Sequence, residues 1–181
     1  MAYDPLSNEI SRNAFLNGSL KVFALTSLAV GGAAGCASDV PELRGLSEQQ
    51  YHNMNAIGEV FLKDNPLPDF DLGLAFDEYL FGKTYPLPEP ALAKALELAG
   101  VPSSILAALV LDGSFTTLVG LDVAAREERM LAWKASDSQL KRGLYNIMRG
   151  TCFYMLSSRP EWYEYCGYDI QKSPVGLDQV K

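Results

Sequence analysis

Histidine and paired cysteines are what this sequence has least of. It contains one histidine, His52, and three cysteines, none of them arranged as Cys-x-x-Cys. A zinc ribbon, a c-type haem attachment and a thioredoxin-like dithiol are therefore excluded by count, and one histidine is too few for the usual histidine-rich zinc or haem sites. We predict neither a metal site nor a cofactor in this chain.

Long basic blocks and a dinucleotide-binding motif are also missing. The net charge is −7, from 22 acidic and 15 basic residues. Because no block of Lys and Arg is long enough to follow a phosphate backbone, we expect no nucleic acid partner. Gly31-Gly32 continues as Ala33-Ala34-Gly35, which is not the Gly-x-Gly-x-x-Gly pattern that follows a strand. We therefore expect the isolated chain to bind no flavin and to have no oxidoreductase activity.

Residues 1–35 have the layout of an export signal. A polar region with Arg12 and Lys21 precedes an uncharged run, residues 22–35, that ends in small residues. The run is too short to span a bilayer comfortably, since a span takes about 20 residues. The alternative is a buried N-terminal helix of a cytoplasmic protein. The basic flank and the charge-free run argue together against that alternative.

The segment Ser11 to Leu16 resembles the twin-arginine consensus, Ser-Arg-Arg-x-Phe-Leu. Arg12, Phe15 and Leu16 match the consensus, and Asn13 replaces the second arginine. This resemblance implies export of an already folded protein.

Ala33-Ala34-Gly35-Cys36 resembles a lipobox, in which a signal peptidase cuts before a cysteine that carries lipid. We therefore predict a lipid on Cys36 and a protein anchored to the membrane on its periplasmic side. A linker, residues 36–45, would follow the cleavage point. Several lipid chains make a firm anchor, because each buried methylene contributes about 0.8 kcal/mol.

The remaining residues, 46–181, predict one all-α domain of about six helices with an irregular, aromatic C-terminal tail. Ser47 is a good N-cap, and Gln50 completes a capping box three residues later. Gly82 is expected to end a helix that starts at Leu72, and Asp122 to open another.

Other boundaries follow from single residues. Ser103 is expected to cap a helix that runs to about Leu111, and Ser136 or Asp137 to cap a long helix that ends at Arg159-Pro160. The segment 115–119 is compatible with either a strand or a helix.

Two groups of polar residues have a chemical interpretation and a structural one. His52 near Glu48 or Glu59 has the spacing of an acid–base pair, but we favour a surface or interface histidine. An acidic cluster could hold calcium although EF-hand spacing is absent, and we favour a solvated loop and first helical turn. Its members are Asp69, Asp71, Asp77 and Glu78.

The charged segment Arg126-Glu127-Glu128-Arg129 predicts a salt-bridged helix face or an interface contact. Cys152 and Cys166 leave three alternatives open: an internal disulfide, two free thiols, or a bridge from Cys166 to another chain. An internal disulfide would close a loop of about 15 residues and contribute roughly 3 kcal/mol.

Aromatic residues are dense near the C-terminus. Trp162, Tyr163 and Tyr165 follow Pro160 closely, and we predict them to be anchors for a large partner, since aromatic side chains outside the core often have this role. They could instead pack on the domain's own core or form a platform for stacking a sugar.

Three stretches together resemble one family. They are Leu46–Gln50, Leu121–Arg129 with Trp133, and Arg159–Tyr163 leading to Gly167-Tyr168. The chain looks like the subunit-3 family of gluconate 2-dehydrogenase, the small subunit of membrane-bound sugar dehydrogenases. The resemblance covers roughly residues 46–169.

The resemblance implies a supporting role without catalysis. The small subunit would accompany a large dehydrogenase of the glucose–methanol–choline type through export and remain bound to it. The large subunit would carry FAD and oxidise a sugar or polyol, and its electrons would leave through a cytochrome c or another carrier. Two rival functions are a free-standing periplasmic lipoprotein that binds a carbohydrate or other small ligand, and an enzyme that uses His52.

Overall fold

The structure is a computed structural model, and it describes residues 40–67, 70–82 and 86–167. Within these ranges the chain is helical and contains no strand, which confirms the all-α prediction for this part of the molecule. The described residues form seven α-helices, α1 (Glu48–Phe61), α2 (Leu72–Phe81), α3 (Glu89–Gly100), α4 (Ile105–Asp112), α5 (Val123–Ala135), α6 (Gln139–Ser157) and α7 (Pro160–Tyr165), and a 3-10 turn at Val101–Ser103.

Short polar side chains open most of these helices. The Ser47 hydroxyl accepts from the N–H of Gln50, whose side chain accepts from the N–H of Ser47, so the predicted capping box of α1 is formed. Asp122 caps α5 by accepting from Ala125 at 2.8 Å, as predicted. Asp71 caps α2 in the same way, and α2 ends at Gly82 as expected.

Several predicted boundaries were wrong by a few residues. The cap of α4 is Ser104 rather than Ser103, and the cap of α6 is Ser138 rather than Ser136 or Asp137. Residues 115–119 form neither a strand nor a helix. Pro160 does not follow directly on α6, which ends at Ser157, but opens α7, because proline fits the first helical position, where its missing N–H is not needed.

The predicted irregular tail is therefore helical at its start. The last part of that tail, residues 168–181, and the signal segment, residues 1–35, lie outside the described residues.

The core is built around α1, which contacts α2, α3, α5 and α6. Met54 and Ile57 are its innermost apolar residues, and both are almost fully buried. The surrounding helices contribute apolar side chains that are likewise withdrawn from water: Leu72, Phe76, Met130, Trp133, Met148 and Cys152. This arrangement fixes α2, α5 and α6 around one centre and leaves α4 and α7 at the edge.

Candidate interaction surfaces

Asp77 is a buried anchor rather than part of a solvated acidic cluster. Its carboxylate accepts three backbone hydrogen bonds, from Arg44 at 2.8 Å, Gly45 at 3.0 Å and Leu46 at 2.8 Å. The predicted solvated location was wrong for Asp77, which is fully buried, because three N–H donors replace the water that a buried carboxylate would lose. The side chain thus fixes the end of the linker against α2.

The other acidic residues of that cluster are also engaged in the fold. Asp71 caps α2 and accepts a hydrogen bond from the Tyr51 hydroxyl. Burial first, and then this bond, raise the pKa of Tyr51 to about 12. Glu78 pairs with Arg159 at 3.1 Å, and Asp69 lies outside the described residues. Among the described residues, no group of His, Cys, Asp and Glu is arranged to hold a metal ion.

Arg126 connects α1, α5 and the loop between α4 and α5. Its guanidinium donates to the carbonyls of Ala56 at 2.7 Å, Leu118 at 3.0 Å and Leu121 at 2.9 Å, and to the Glu59 carboxylate at 2.6 Å. Only 5% of Arg126 is exposed. Arg126 thus forms a salt bridge, as predicted for this segment, but with Glu59 on α1 rather than with a neighbour on its own helix, and it lies in the interior.

A second polar cluster lies between α4, α5 and α6. One oxygen of Asp112 accepts from the Trp133 indole N–H at 2.8 Å and lies 3.2 Å from the Lys141 ammonium, and its other oxygen is 3.9 Å from the Arg129 guanidinium. The pocket beside this cluster has room for a water-sized molecule. That volume does not accommodate a sugar or a flavin.

His52 is an exposed side chain on α1. Its ring meets the edge of Tyr51 with centroids 5.2 Å apart. Glu59, one of the two carboxylates suggested by the sequence, is held by Arg126 instead, and Glu48 lies in the first turn of α1. The exposed position agrees with the surface interpretation of His52.

The two cysteines of the helical domain are free thiols in the structure. Cys152 is fully buried, and this burial raises the pKa of its thiol to about 12. Cys166 is exposed after the end of α7. The internal disulfide, one of the three alternatives, is thus not formed here, whereas the other two remain compatible with these positions.

The C-terminal aromatic residues have different environments. Trp162 packs partly against the core, Tyr163 is half-buried, and Tyr165 is 65% exposed. The rings of Trp162 and Tyr165 lie 5.8 Å apart at an angle of 34°. The structure therefore divides the predicted anchors, because Trp162 contributes to the core and Tyr165 faces solvent.

A further apolar surface, which the sequence interpretation missed, covers the outer side of α4. We call it the α4 face, and it consists of Ile105, Leu106, Leu109, Val110 and Phe115, all exposed, with Phe115 at 76%. Positions i, i+1, i+4 and i+5 of a helix lie side by side, so the four aliphatic side chains form a continuous stripe. The signal was the uniformly apolar run of α4, of which only Ala107, Ala108 and Leu111 are buried.

Among the described helices, none is by itself long and apolar enough to cross a membrane. One pair, Glu89–Ser103 followed by Ile105–Asp112, is long and apolar enough when the two are taken together, but it is bent by 76° at the break. The residues predicted for export and lipidation, Arg12, Phe15, Leu16 and Cys36, lie outside the described residues.

The described fold and surfaces define a small all-helical domain with exposed apolar faces. In comparisons with known proteins, no family model matches the sequence, and no curated protein or solved structure is significantly similar to it. The resemblance to the subunit-3 family of gluconate 2-dehydrogenase therefore stays a prediction based on the residues quoted above.

Proposed function

We propose that this chain is a non-catalytic small subunit that supports the export, folding and membrane attachment of a large FAD-dependent sugar or polyol dehydrogenase of the glucose–methanol–choline type. The lipid on Cys36 would hold the complex on the periplasmic side of the membrane, and electrons would pass from the large subunit to a cytochrome c or another acceptor.

The observation that carries this proposal is the α4 face. It presents four aliphatic side chains and Phe115 to solvent without a charged residue among them. Exposed apolar area of this kind is unfavourable in water, and a continuous patch of it commonly marks a site of protein association. Depletion of charge is typical of the central part of a protein interface. A large partner chain that covers α4 would account for this surface.

The test is a pull-down of the tagged full chain from membranes of its natural host. We expect a larger chain with the absorption spectrum of bound flavin to copurify with it. Leu109→Arg, in the centre of the α4 face, should weaken this association by about 30-fold, as loss of an interface anchor does. Leu131→Arg is the matched control, because Leu131 is a similarly exposed leucine on α5.

Two results would contradict the proposal at different levels. If no flavin-containing chain copurifies with the parent protein, the supporting role is wrong. If the flavin protein copurifies equally with both arginine variants, the partner exists but docks elsewhere, and the aromatic residues Trp162, Tyr163 and Tyr165 become the next candidates.

One observation favours the alternative, a free-standing lipoprotein that binds a carbohydrate. Tyr165 is exposed beside the partly buried Trp162, and paired aromatic rings could stack on the apolar face of a sugar. Titration with sugars should then change the tryptophan fluorescence of the parent protein but not that of Tyr165→Ala. An unchanged spectrum over the whole titration would remove this alternative.

A further inference from the structure

A surface separate from the α4 face combines tyrosine, phenylalanine and arginine. Tyr79 on α2 meets Tyr154 on α6 with ring centroids 5.5 Å apart, and the Arg149 guanidinium lies 5.0 Å from the centre of the Phe153 ring. Ile147, two residues before Arg149 on α6, is also exposed. We call these five residues the tyrosine–arginine surface.

The charge of α6 differs in sign from that of the whole molecule. The helix contains Lys141, Arg142 and Arg149 and no acidic residue, although the chain carries a net charge of −7. Lys141 and Arg142 are occupied by Asp112 and by the carbonyl of Ser136. Arg149 is exposed and extends over an aromatic ring. The outer face of α6 is therefore apolar and locally cationic.

The start of the helical domain packs against the C-terminal half of α2, the helix that carries Tyr79. Asp77 fixes residues 44–46 against α2, and a Cβ on Gly45 would come within 2.5 Å of the Phe81 ring, so the linker packs closely there. Arg44 and Arg159 both pair with Glu78, at 4.0 and 3.1 Å. Arg159 directly follows the last turn of α6, so the linker reaches the domain near the C-terminal ends of α2 and α6.

The stretch of linker between Cys36 and the fixed residues 44–46 is short. Eight residues lead from Cys36 to Arg44, and a chain of that length spans at most about 29 Å when fully extended. A lipid on Cys36 would therefore hold the C-terminal end of α2 near the membrane. This step rests on the membrane attachment that is part of the proposed function.

We propose that the tyrosine–arginine surface lies against the bilayer and contacts the headgroups of anionic lipids. Tyrosine and arginine suit this position, because each combines an apolar body with a polar end and the membrane interface offers both environments. The charge is complementary, since a cation near an anionic membrane surface is attracted to it. The neighbouring α7 carries Glu161 and Glu164, and for this reason Tyr165 is not included in the surface.

The test uses the processed, lipidated full chain, purified in detergent and reconstituted without any other protein. One set of vesicles contains phosphatidylglycerol, and a parallel set contains phosphatidylcholine alone. Flotation first shows whether the chain is attached to the vesicles. Brief oxidative labelling with mass spectrometry then reports the accessibility of Phe153 and Tyr154, with the exposed Phe115 as the internal reference.

We expect less oxidation of Phe153 and Tyr154 relative to Phe115 on the anionic vesicles than on the neutral ones. On anionic vesicles, Arg149→Gln should lower the ratio of molecules with Phe153 and Tyr154 protected to molecules with them accessible by about fivefold. This is the effect expected from removing one cation at an anionic membrane surface. Lys94→Gln is the matched control, because Lys94 is an exposed cation on α3, and it should leave the ratio unchanged.

Three other results would overturn the proposal, each for a distinguishable reason. If the chain floats but Phe153 and Tyr154 are oxidised equally on both kinds of vesicle, the chain has a lipid anchor but this surface does not contact the bilayer. The supporting role proposed above would still stand. A chain that does not float lacks the anchor as well. If protection appears only in native membranes where a larger chain copurifies, the surface is a protein interface.

Discussion

Arg126 on α5 joins α1, 70 residues earlier in the chain, to the loop between α4 and α5. Its partners are the carbonyls of Ala56, Leu118 and Leu121, and each of these would lose its hydrogen bond with the guanidinium if the side chain were shortened. Glu59 adds an ion pair, but its own side chain is 55% exposed, so water screens much of that attraction. The three hydrogen bonds to carbonyls, two of them buried, should account for more of the stabilisation than the ion pair.

We therefore expect Arg126→Met to lower the free energy of unfolding by about 3 kcal/mol, because three hydrogen bonds to carbonyl oxygens are lost, two of them in the interior. Urea denaturation followed by circular dichroism measures this change. Glu59→Gln removes only the ion pair, and we expect it to lower the free energy of unfolding by less than about 1 kcal/mol. Equal losses in both variants would show that the ion pair dominates.

The two thiols should differ sharply in reactivity. Cys166 is exposed, whereas Cys152 is fully buried and has a raised pKa, so it remains a neutral, inaccessible thiol near neutral pH. Iodoacetamide at about pH 8 should label Cys166 and spare Cys152 until the chain is unfolded in urea. Mass spectrometry of the native chain without reductant checks this; absence of label on both cysteines would instead indicate a disulfide.

The raised pKa of Cys152 also predicts how stability changes with pH. The unfolded thiol ionises near its ordinary value of 9.0 and the folded one only near 12, so the unfolded state loses its proton first. This contribution to stability is complete below about pH 9 and is lost progressively as the pH rises toward 12. Cys152→Ala should therefore show a smaller loss of stability over that range.

The roles of Asp77 and Arg126 could not be predicted from the sequence. Asp77 binds the backbone of residues 44–46, and Arg126 binds Ala56 across the core. Such contacts depend on how helices pack, and the local pattern around each residue, a charged helical segment, indicates an exposed face. Only the fold brings their partners within hydrogen-bonding distance.

At the scale of helices, the capping residues were the most predictable feature. Ser47 and Asp122 stand directly before apolar periodic segments and have side chains that satisfy free N–H groups. The caps of α4 and α6 were misplaced because several suitable residues are adjacent there: Ser103 beside Ser104, and Ser136 and Asp137 beside Ser138. The choice among neighbours depends on packing, which the local sequence does not determine.

The exposed side of α4 was not predicted, for a related reason. A short helix that is apolar on all sides is usually buried on all sides, and the run from Ile105 to Leu111 has this pattern. In the structure α4 lies at the edge of the core, so half of that apolar surface remains in water. A sequence pattern cannot distinguish a helix covered by its own domain from one that a partner would cover.

The position of α7 separates two roles for its aromatic residues. Trp162→Ala should lower the free energy of unfolding by about 2 kcal/mol, because Trp162 packs partly against the core. Tyr165→Ala should leave stability nearly unchanged, since Tyr165 is mostly exposed. If Tyr165 anchors the large partner, its loss should weaken association by about 30-fold.

Thermal denaturation of the isolated variants and pull-down of the partner measure these two effects separately. Tyr165→Phe is a useful companion variant, because it keeps the ring and removes only the hydroxyl. Unfolding of Tyr165→Ala at the same low temperature as Trp162→Ala would place both rings in the core. Retention of the flavin protein by Tyr165→Ala would locate the interface elsewhere, with the α4 face as the first candidate.

At the scale of the whole molecule, the two exposed surfaces differ in chemistry. The α4 face is apolar and uncharged, and this suits a protein partner more than an anionic membrane. The tyrosine–arginine surface has an exposed cation, and the linker that leads to Cys36 packs against α2, one of the two helices that form this surface. One molecule could therefore contact the bilayer and a large partner at the same time.

The lipid anchor is the step on which this arrangement depends most directly. Cys36 ends an uncharged run with small residues before it, so we expect Cys36→Ala to release the protein from membranes or to leave it unprocessed, with the signal segment still attached. Cell fractionation and the migration of the protein on a gel distinguish both outcomes from the parent. Cys166→Ala is the matched control, because it removes an exposed cysteine without affecting the lipobox, and it should fractionate like the parent. If Cys36→Ala also fractionates and migrates like the parent, the chain has no lipid at this position, and any attachment to the membrane must come from its folded surface or from its partner.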